Sequence, residues 1–256
     1  MKILAITNQK GGVGKTTTCV NLAASLAAAK RRVLLVDLDP QGNATTGSGV
    51  DKSALATTIY HVLLGQNKIR EVRVRSGVGG FDLLPANREL AGAEVELVNE
   101  LARETRLKNA LAGLENDYDY VLIDCPPALN LVTVNALTAA HAVMIPMQCE
   151  YFALEGLSDL VNTIKKVRAY LNPTLEIEGL LRTLFDPRNM LAQQVSAQLE
   201  SHFGKKVYTT VIPRNIRLAE APSYGIPAMF HDKSSKGAQA YLALAKEMIK
   251  REKANG

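Results

Sequence analysis

The sequence predicts a doubly wound α/β fold, in which a mostly parallel sheet is flanked by helices on both faces. Short runs rich in Val, Ile and Leu alternate with longer helical patterns along almost the whole chain, which is the alternation of doubly wound folds. Several of these runs are nearly continuous, such as VLLV at 33–36 and VLI at 121–123. A strand of that kind is covered on both faces, as in a parallel sheet.

The order of the elements follows from these runs. Seven segments are predicted as strands: 2–7, 32–38, 81–86, 118–125, 142–148, 177–185 and 206–213. Seven segments are predicted as helices: 15–29, 53–64, 88–115, 130–140, 154–171, 190–203 and 237–252. No internal repeat or linker interrupts this series, and 256 residues suit one core, so we predict a single domain over 1–256. Because the first strand leads straight into a glycine-rich turn, we do not expect the N-terminus to be a signal peptide.

The net charge of +5 is distributed unevenly. Residues 182–256 contain 12 Lys and Arg against 6 Asp and Glu, whereas residues 1–181 contain 18 against 19. Such asymmetry indicates an anionic partner for the C-terminal third, either nucleic acid or membrane, with a solvated lysine-rich face as the alternative. No apolar run is long enough for a transmembrane helix, and three isolated cysteines suit a reducing cytosol.

A phosphate-binding loop is predicted between the first strand and the first helix. Its residues are Lys10, Gly11, Gly12, Val13, Gly14, Lys15, Thr16 and Thr17. A strand, a glycine-rich turn and a helix that opens at Lys-Thr form the layout of such a loop, because backbone N–H groups and the helix N-terminus bind phosphate oxygens. Lys15 is expected to reach the β- and γ-phosphates, Thr16 to ligate Mg²⁺, and Thr17 to bind a phosphate.

Carboxylates end two predicted strands near the same edge of the sheet. Asp124 follows an apolar strand, which is the Walker B layout and predicts a Mg²⁺ ligand. Asp39 opens the polar segment 39–53, a long loop at the edge where open α/β sheets bind ligands. Asp37 shares a strand face with Asp39, and it either assists the metal site or accepts hydrogen bonds from backbone amides.

The phosphate loop departs from the standard G-x-x-x-x-G-K-[ST] spacing, since Gln9 stands where the first glycine is expected. The run from Lys10 to Thr16 instead resembles the deviant Walker A motif, KGGxGK[ST], of the ParA/MinD family of ATPases. This resemblance implies ATP as the nucleotide. It implies that Lys10 crosses a dimer interface to the phosphates of the partner's ATP, while Lys15 binds the ATP of its own subunit.

Other site residues also come from this resemblance. It implies that Asp39 polarises the attacking water and lies at the metal, so that Lys10, Lys15 and Asp39 are the catalytic residues. It also places Pro213 and Asn215, which follow the last predicted strand, against the adenine.

Four further strings resemble the chromosomal ParA/Soj partition proteins over residues 2 to about 245. They are DLDPQGNAT, LIDCPP, QCEYFALEGL and VIPRNIRLAEAPS. The resemblance implies an ATP-bound homodimer that binds non-specific double-stranded DNA, and slow hydrolysis stimulated by a ParB-type protein. It implies a bacterial, cytoplasmic and nucleoid-associated protein that does not bind membranes. Because the phosphate motif starts at residue 10, we expect the short form without a preceding helix-turn-helix.

The basic C-terminal third supplies the predicted DNA-binding residues. Arg188 and Arg217 match arginines that the family uses for DNA, and Lys233 and Lys236 are added because of their charge. Lys205, Lys206, Lys246 and Lys250 are further candidates on the same ground.

Three alternatives stay open at this point. A MinD-like membrane-associated ATPase needs a basic amphipathic tail, and the segment 237–256 has an apolar stripe that fits either a tail or a packed terminal helix. An electron-transferring iron protein of the same superfamily needs suitably spaced cysteines, and Cys125 has no such partner. A regulator that binds nucleotide without hydrolysis is disfavoured by the presence of Lys15, Asp39 and Asp124.

Overall fold

The computed structural model describes residues 1–255, which form a seven-stranded sheet between two layers of helices. The strands are β1 (Lys2–Ile6), β2 (Val33–Asp37), β3 (Val74–Arg75), β4 (Asp82–Leu84), β5 (Tyr120–Asp124), β6 (Ala142–Met147) and β7 (Glu176–Arg182). Their order across the sheet is β3-β4-β2-β5-β1-β6-β7, and all neighbours are parallel except β3, which pairs antiparallel with β4 at one edge. The predicted fold class is therefore confirmed, while the single domain over 1–256 stays a prediction.

Helices cover both faces of the sheet. They are α1 (Lys15–Ala28), α2 (Asn43–Gly47), α3 (Ile59–Leu63), α4 (Ile69–Val72), α5 (Leu90–Glu96), α6 (Arg106–Leu111), α7 (Leu131–Ala139), α8 (Ala153–Tyr170), α9 (Met190–Phe203), α10 (Ile216–Glu220), α11 (Ala228–His231) and α12 (Lys236–Asn255). Short 3₁₀ turns occupy Leu97–Asn99, Arg103–Thr105, Gly204–Lys206 and Ala221–Tyr224.

Each face of the sheet packs against its own hydrophobic core. In the central strand β1, Ile3 and Ala5 belong to the core under α3 and α5 to α9, whereas Leu4 and Ile6 belong to the core under α1 and α12. Successive side chains of a strand point to opposite faces. Burial on both faces therefore explains why the strand sequences are apolar without alternation. This arrangement leaves the carboxyl ends of the central strands as the accessible edge.

The last predicted strand, 206–213, is wrong. The segment lies beside the edge strand β7 but pairs with it only through isolated bridges, Leu180 with Val207 and Phe185 with Pro213. The sequence pattern of the segment is strand-like, yet no continuous ladder forms between the two bridges.

Side chains supply part of the hydrogen bonding of this segment, in addition to the backbone bonds that Tyr208 and Ile212 donate to β7. Arg182, the last residue of β7, is buried and donates through its guanidinium to the carbonyl of Tyr208 at 2.8 Å. The carboxylate of Glu247, on α12, accepts from the N–H groups of Thr209 and Thr210, each at 2.8 Å. Buried backbone groups need a partner of some kind. Here some of those partners are side chains from elsewhere in the chain, so the segment does not need a continuous ladder with β7.

The long helix predicted over 88–115 is divided. α5 and α6 occupy its two ends, and between them the chain turns at Ala102, whose backbone is left-handed with φ 55°. Asn135, on α7, stabilises the turn because its side chain accepts from the N–H of Leu107 and donates to the carbonyl of Arg103. The apolar residues of α5 and α6 follow one helical spacing across the break. The sequence therefore does not reveal that the helix is interrupted.

The segment 39–53, predicted as a loop, contains the short helix α2. Its fold is set by Asp37, which accepts from both the N–H and the hydroxyl of Thr45. The helix predicted over 53–64 is correspondingly shorter, since α3 begins only after Thr58.

Candidate functional site

The glycine-rich loop joins β1 to α1 at the carboxyl edge of the sheet. Gly12 and Gly14 have φ values of 73° and 85°, a left-handed backbone that residues with a Cβ rarely adopt. Gly14 is the N-cap of α1, and it has no side chain to bind the first N–H groups of the helix. Those N–H groups, together with the helix dipole, are available to bind an anion.

A distant residue supports the loop. The hydroxyl of Thr183, which follows β7, donates to the carbonyl of Val13 at 2.7 Å. Thr183 is buried, and its side chain also lies beside Gly14. The phosphate loop is thus stabilised by Thr183, a residue 170 positions further along the chain than Val13. Sequence reasoning did not identify Thr183, because no motif surrounds it.

The structure separates the two lysines of the loop. Lys15 is 7% exposed, and its Nζ donates to the carbonyl of Lys10 at 3.1 Å, so it is folded onto the inner side of the loop. Burial lowers the pKa of Lys15, while the carboxylates of Asp124 and Asp39 act in the opposite direction. The side chain of Lys10 is half-exposed and forms an ion pair with Glu150. Lys15 therefore faces the cavity, and Lys10 faces outward.

Asp37 and Asp124 stand opposite each other in the β2–β5 register, and both are fully buried. Asp37 accepts from the N–H and hydroxyl of Thr45, each at 2.8 Å, and from the N–H of Asp39 at 3.1 Å. Burial raises the pKa of Asp37 to about 6, although its hydrogen bonds to Thr45 act to lower it. The carboxylate of Asp37 is thus already occupied by backbone and hydroxyl donors. This matches the role of an acceptor for backbone amides, which the sequence left open beside a role at the metal.

Asp124 is different, because part of it lacks a partner. Its Oδ1 accepts from the Cys19 thiol at 3.4 Å, while its Oδ2 is buried without a hydrogen-bond partner among the described residues. Burial, and then the charge of Asp37, raise the pKa of Asp124 to about 8, and the Thr16 hydroxyl acts to lower it. An unpartnered buried carboxylate oxygen is costly, and oxygen donors are what Mg²⁺ prefers. Asp124 and the nearby Thr16 therefore fit a magnesium site.

One cavity of about 380 Å³ unites eight of the twelve residues predicted for the nucleotide and its metal. Its lining comprises Gly11, Gly12, Gly14, Lys15, Thr16, Thr17, Asp39, Asn43, Pro127, Thr183, Leu184, Ile212, Asn215, Leu218, Ala219 and Tyr241. Asn215 reaches this cavity, whereas Pro213 lies beside it without lining it, and Asp124 lies beneath the loop. Clefts of about 750 and 1150 Å³ lie elsewhere in the described chain, but neither includes a residue of the phosphate loop.

The four predicted DNA-binding residues are all exposed, and each arginine has an acidic neighbour. Arg188 is 88% exposed and pairs with Asp186 at 2.8 Å. Arg217 pairs with Glu220 at 2.8 Å and with Asp232 at 3.4 Å. Lys233 directly follows Asp232, and Lys236 is the first residue of α12.

These residues come from three separate parts of the chain. The bridge between Phe185 and Pro213 brings the segment of Arg188 beside the segment of Arg217. The contact of Arg217 with Asp232 in turn brings the start of α12 to the same region. The fold therefore gathers the predicted residues close to the wall of the cavity that contains Asn215.

The apolar stripe of the terminal helix faces inward. Tyr241, Ala245 and Met248 are buried in the core shared with α1, and Leu242 and Ile249 are half-buried. The Tyr241 hydroxyl is 3.0 Å from the hydroxyl of Thr18, on α1. A stripe packed in this way is occupied by the protein's own core, which matches the packed-helix interpretation.

The three cysteines are buried and unpaired. Cys19 and Cys125 lie near Asp124, and burial raises the pKa of both thiols. None of the three presents a ligand at the surface, as an iron cluster between two subunits would need. Among the described residues, none of the helices has both the length and the apolar character needed to span a membrane.

Comparisons with known proteins agree with this geometry. A family model described as an AAA domain matches residues 1–177. The chain is 52% identical over 255 residues to the chromosome partitioning protein ParA of Caulobacter vibrioides, covering 99% of this chain and 96% of the relative. It is 54% identical over 247 residues to the sporulation initiation inhibitor protein Soj of Bacillus subtilis, covering 96% and 98%.

Among solved structures, a similar fold is found in Mycobacterium smegmatis. That crystal structure bears the name cobyrinic acid a,c-diamide synthase and contains an ATP analogue and magnesium. It is 41% identical to this chain, with a TM-score of 0.87, and the match covers 100% of this chain and 97% of that one.

Proposed function

Because the chain belongs to the ParA/Soj family of chromosome-partitioning ATPases, we propose that it moves DNA through a cycle of ATP-dependent dimerisation and DNA binding. The relatives named for chromosome partitioning, at 52% and 53% identity, are closer in sequence than the structure named for a synthase, at 41%. The single observation that carries the proposal is the convergence of Lys15, Asp39 and Thr16 around one cavity at the sheet edge.

The proposed nucleotide site uses the residues of this cavity. Lys15 and the free N–H groups at the start of α1 hold the phosphates of ATP. Thr16 and Asp124 hold Mg²⁺, which supplies charge neutralisation for phosphoryl transfer. Asp39 lines the same cavity and is the proposed residue that orients the attacking water. Asn215 borders the same cavity and is the proposed contact for the adenine edge.

The position of Lys10 supports a dimer in which ATP forms part of the interface. Lys10 does not enter the cavity of its own subunit, and its side chain is half-exposed at the rim. Two such lysines brought face to face repel each other, and two triphosphates between the subunits neutralise them. The dimer should therefore form with ATP and dissociate once the γ-phosphate leaves.

The basic surface near Asn215 supports DNA binding by this dimer. Arg188, Arg217, Lys233 and Lys236 are the proposed phosphate contacts, and two subunits double their number. A ParB-type protein is the proposed stimulator of hydrolysis, and the nucleoid of a bacterium is the proposed location.

An ATPase assay tests the whole cycle. We expect slow phosphate release by the protein alone and faster release when double-stranded DNA and its ParB-type protein are both present. DNA co-sedimentation should require ATP and should be lost with ADP. Binding to liposomes with ATP in the absence of DNA binding would favour the membrane-associated alternative and would reject this proposal.

Replacement of Lys10 tests the dimer. We expect Lys10→Ala to bind ATP with an affinity within about threefold of wild type, since Lys15 and the loop amides remain. The variant should stay monomeric with ATP, because nothing then offsets the repulsion between the two triphosphates. Sedimentation velocity with ADP and with ATP measures both states. An intact ATP dimer of Lys10→Ala would refute the role of Lys10 across the interface.

The ion pair between Lys10 and Glu150 provides a second test, in which a substitution should strengthen the dimer instead of weakening it. Dimerisation must break this pair in each subunit, and an exposed pair stabilises by about 0.2–1 kcal/mol. Because two pairs are broken per dimer, we expect Glu150→Gln to dimerise with ATP at a protein concentration about twofold to 30-fold lower than wild type. Glu155→Gln, an exposed glutamate in the first turn of α8, five positions after Glu150, is the matched control. A weaker dimer of Glu150→Gln would show that Glu150 acts in the assembled state instead.

A charge reversal tests the DNA surface. We expect Arg188→Glu with Arg217→Glu to dimerise with ATP but to fail to retain DNA. Each phosphate contact adds about one unit to the slope of the logarithm of the binding constant against the logarithm of salt concentration. Two arginines in each of two subunits should therefore account for about four units of that slope. Lys165→Glu with Arg168→Glu changes the same charge on the exposed face of α8 and should leave binding intact. DNA binding retained by the first variant at moderate salt would remove these arginines from the interface.

A further inference from the structure

A buried thiol contacts the carboxylate that is proposed to hold the metal. Cys19 lies one turn beyond the start of α1, and its Sγ is 3.4 Å from Oδ1 of Asp124. Both side chains are fully buried. The other oxygen, Oδ2, has no hydrogen-bond partner among the described residues. The thiol therefore holds one oxygen of the carboxylate and leaves the other free.

This asymmetry determines how the carboxylate can be used. The terminal torsion of an aspartate is broad and nearly two-fold, so packing alone does not select which oxygen faces a ligand. A donor on one oxygen does select it, and groups that bind the far side of a metal ligand commonly set its orientation. At Asp124 the Cys19 thiol is such a donor, and it comes from the same helix that begins with Lys15 and Thr16.

We infer that Cys19 is a positioning residue for magnesium, which fixes Oδ1 of Asp124 so that Oδ2 faces the metal. The inference rests on the proposed function in one respect, since it takes Mg²⁺-ATP as the ligand of the cavity. Cys19 itself does not touch the nucleotide or the metal. Its effect is on the orientation of Asp124, and therefore on the magnesium concentration that tight nucleotide binding requires.

A purely structural role for Cys19 predicts a different result. Cys19 belongs to the core between α1 and the sheet, where a small side chain fills space. In that role, the loss of the thiol lowers the melting temperature without changing the response to magnesium. Serine and alanine are both smaller than cysteine and differ by one hydroxyl donor, so together they separate packing from hydrogen bonding.

The experiment measures how the binding of a fluorescent ATP analogue depends on Mg²⁺ concentration, with the full-length, nucleotide-free protein. We expect Cys19→Ala to need about tenfold more Mg²⁺ for half-maximal binding, the low end of the range for partners of metal ligands, because a thiol is a weak donor. Its binding of the analogue in EDTA should be unchanged. Cys19→Ser should restore a wild-type requirement within about twofold.

Cys149→Ala is the matched control, since Cys149 is a buried thiol that has no contact with Asp124. Should Cys19→Ala not fold, the isosteric variants Cys19→Thr and Cys19→Val provide the same contrast of donor against no donor. An unchanged magnesium requirement in Cys19→Ala, or a serine variant that behaves like alanine, would overturn the inference. Wild-type protein that binds the analogue without any response to Mg²⁺ would also overturn the inference, whereas wild-type protein that does not bind the analogue at any Mg²⁺ concentration would reject the proposed nucleotide site.

Discussion

Lys15→Ala should bind ATP at least about 100-fold more weakly than wild type. Lys15 is the buried cation of the cavity and lies on the inner side of the phosphate loop. Removal of one partner from a buried charge pair costs about 3–5 kcal/mol, and every 1.4 kcal/mol corresponds to a tenfold change in affinity. Equilibrium titration with a fluorescent ATP analogue and magnesium measures the loss.

Lys165→Ala is the control for this experiment, because Lys165 is exposed on α8, away from the cavity. The melting temperature of each nucleotide-free variant should be recorded as well. A folded Lys15→Ala protein that binds ATP within threefold of wild type would show that Lys15 does not contact the phosphates.

Asp39→Ala should hydrolyse ATP at least about 100-fold more slowly while it still binds the nucleotide. General acid–base groups contribute about 10²–10⁴-fold to a rate, and Asp39 lines the cavity that contains the phosphate loop. Without hydrolysis the ATP dimer cannot dissociate by its normal route. The variant should therefore accumulate on DNA, and ATP should remain intact in the bound fraction.

Single-turnover phosphate release measures the rate, and DNA co-sedimentation measures the accumulation. Asp51→Ala is the control, since Asp51 is an exposed carboxylate in the same segment and bonds only to Ser53. A normal rate of phosphate release by Asp39→Ala would mean that another group orients the water.

Together these variants separate the steps of the cycle. Lys15 acts on nucleotide binding, Lys10 on dimerisation, Asp39 on hydrolysis, and Arg188 with Arg217 on DNA. Each variant should stop the cycle at one step and leave the preceding steps intact. A variant that stops the cycle at an earlier step than expected would identify a residue with a second role.

Features encoded in contiguous residues were predictable from the sequence. The six parallel strands follow from apolar runs that must be buried on both faces. The phosphate loop follows from glycines, a lysine and a threonine at fixed spacing, and Asp124 follows from its place at the end of an apolar strand. In each case the physical requirement is met within a few residues, so the local pattern is sufficient.

Features that depend on contacts between distant segments were not predictable. The segment 206–213 has the pattern of a strand, but its backbone bonds partly to β7 and partly to the side chains of Arg182 and Glu247. Asp37 is a plausible metal ligand by position, and only its bonds to Thr45 show that its oxygens are already occupied. The pairing of buried polar groups is decided by which elements meet, and a local pattern does not contain that information.

The sequence by itself determined the six parallel strands, the phosphate loop and the nature of its ligand, because strand burial and phosphate binding are properties of short segments. It did not reveal the antiparallel edge strand β3 (Val74–Arg75). Only the tertiary structure showed that Thr183 and Tyr241, from the other end of the chain, complete the lining of the cavity beside the loop. It also decided that Lys15 is enclosed while Lys10 is held outward by Glu150. These outcomes depend on hydrogen bonds and ion pairs formed after the chain has folded, between residues that no sequence motif connects.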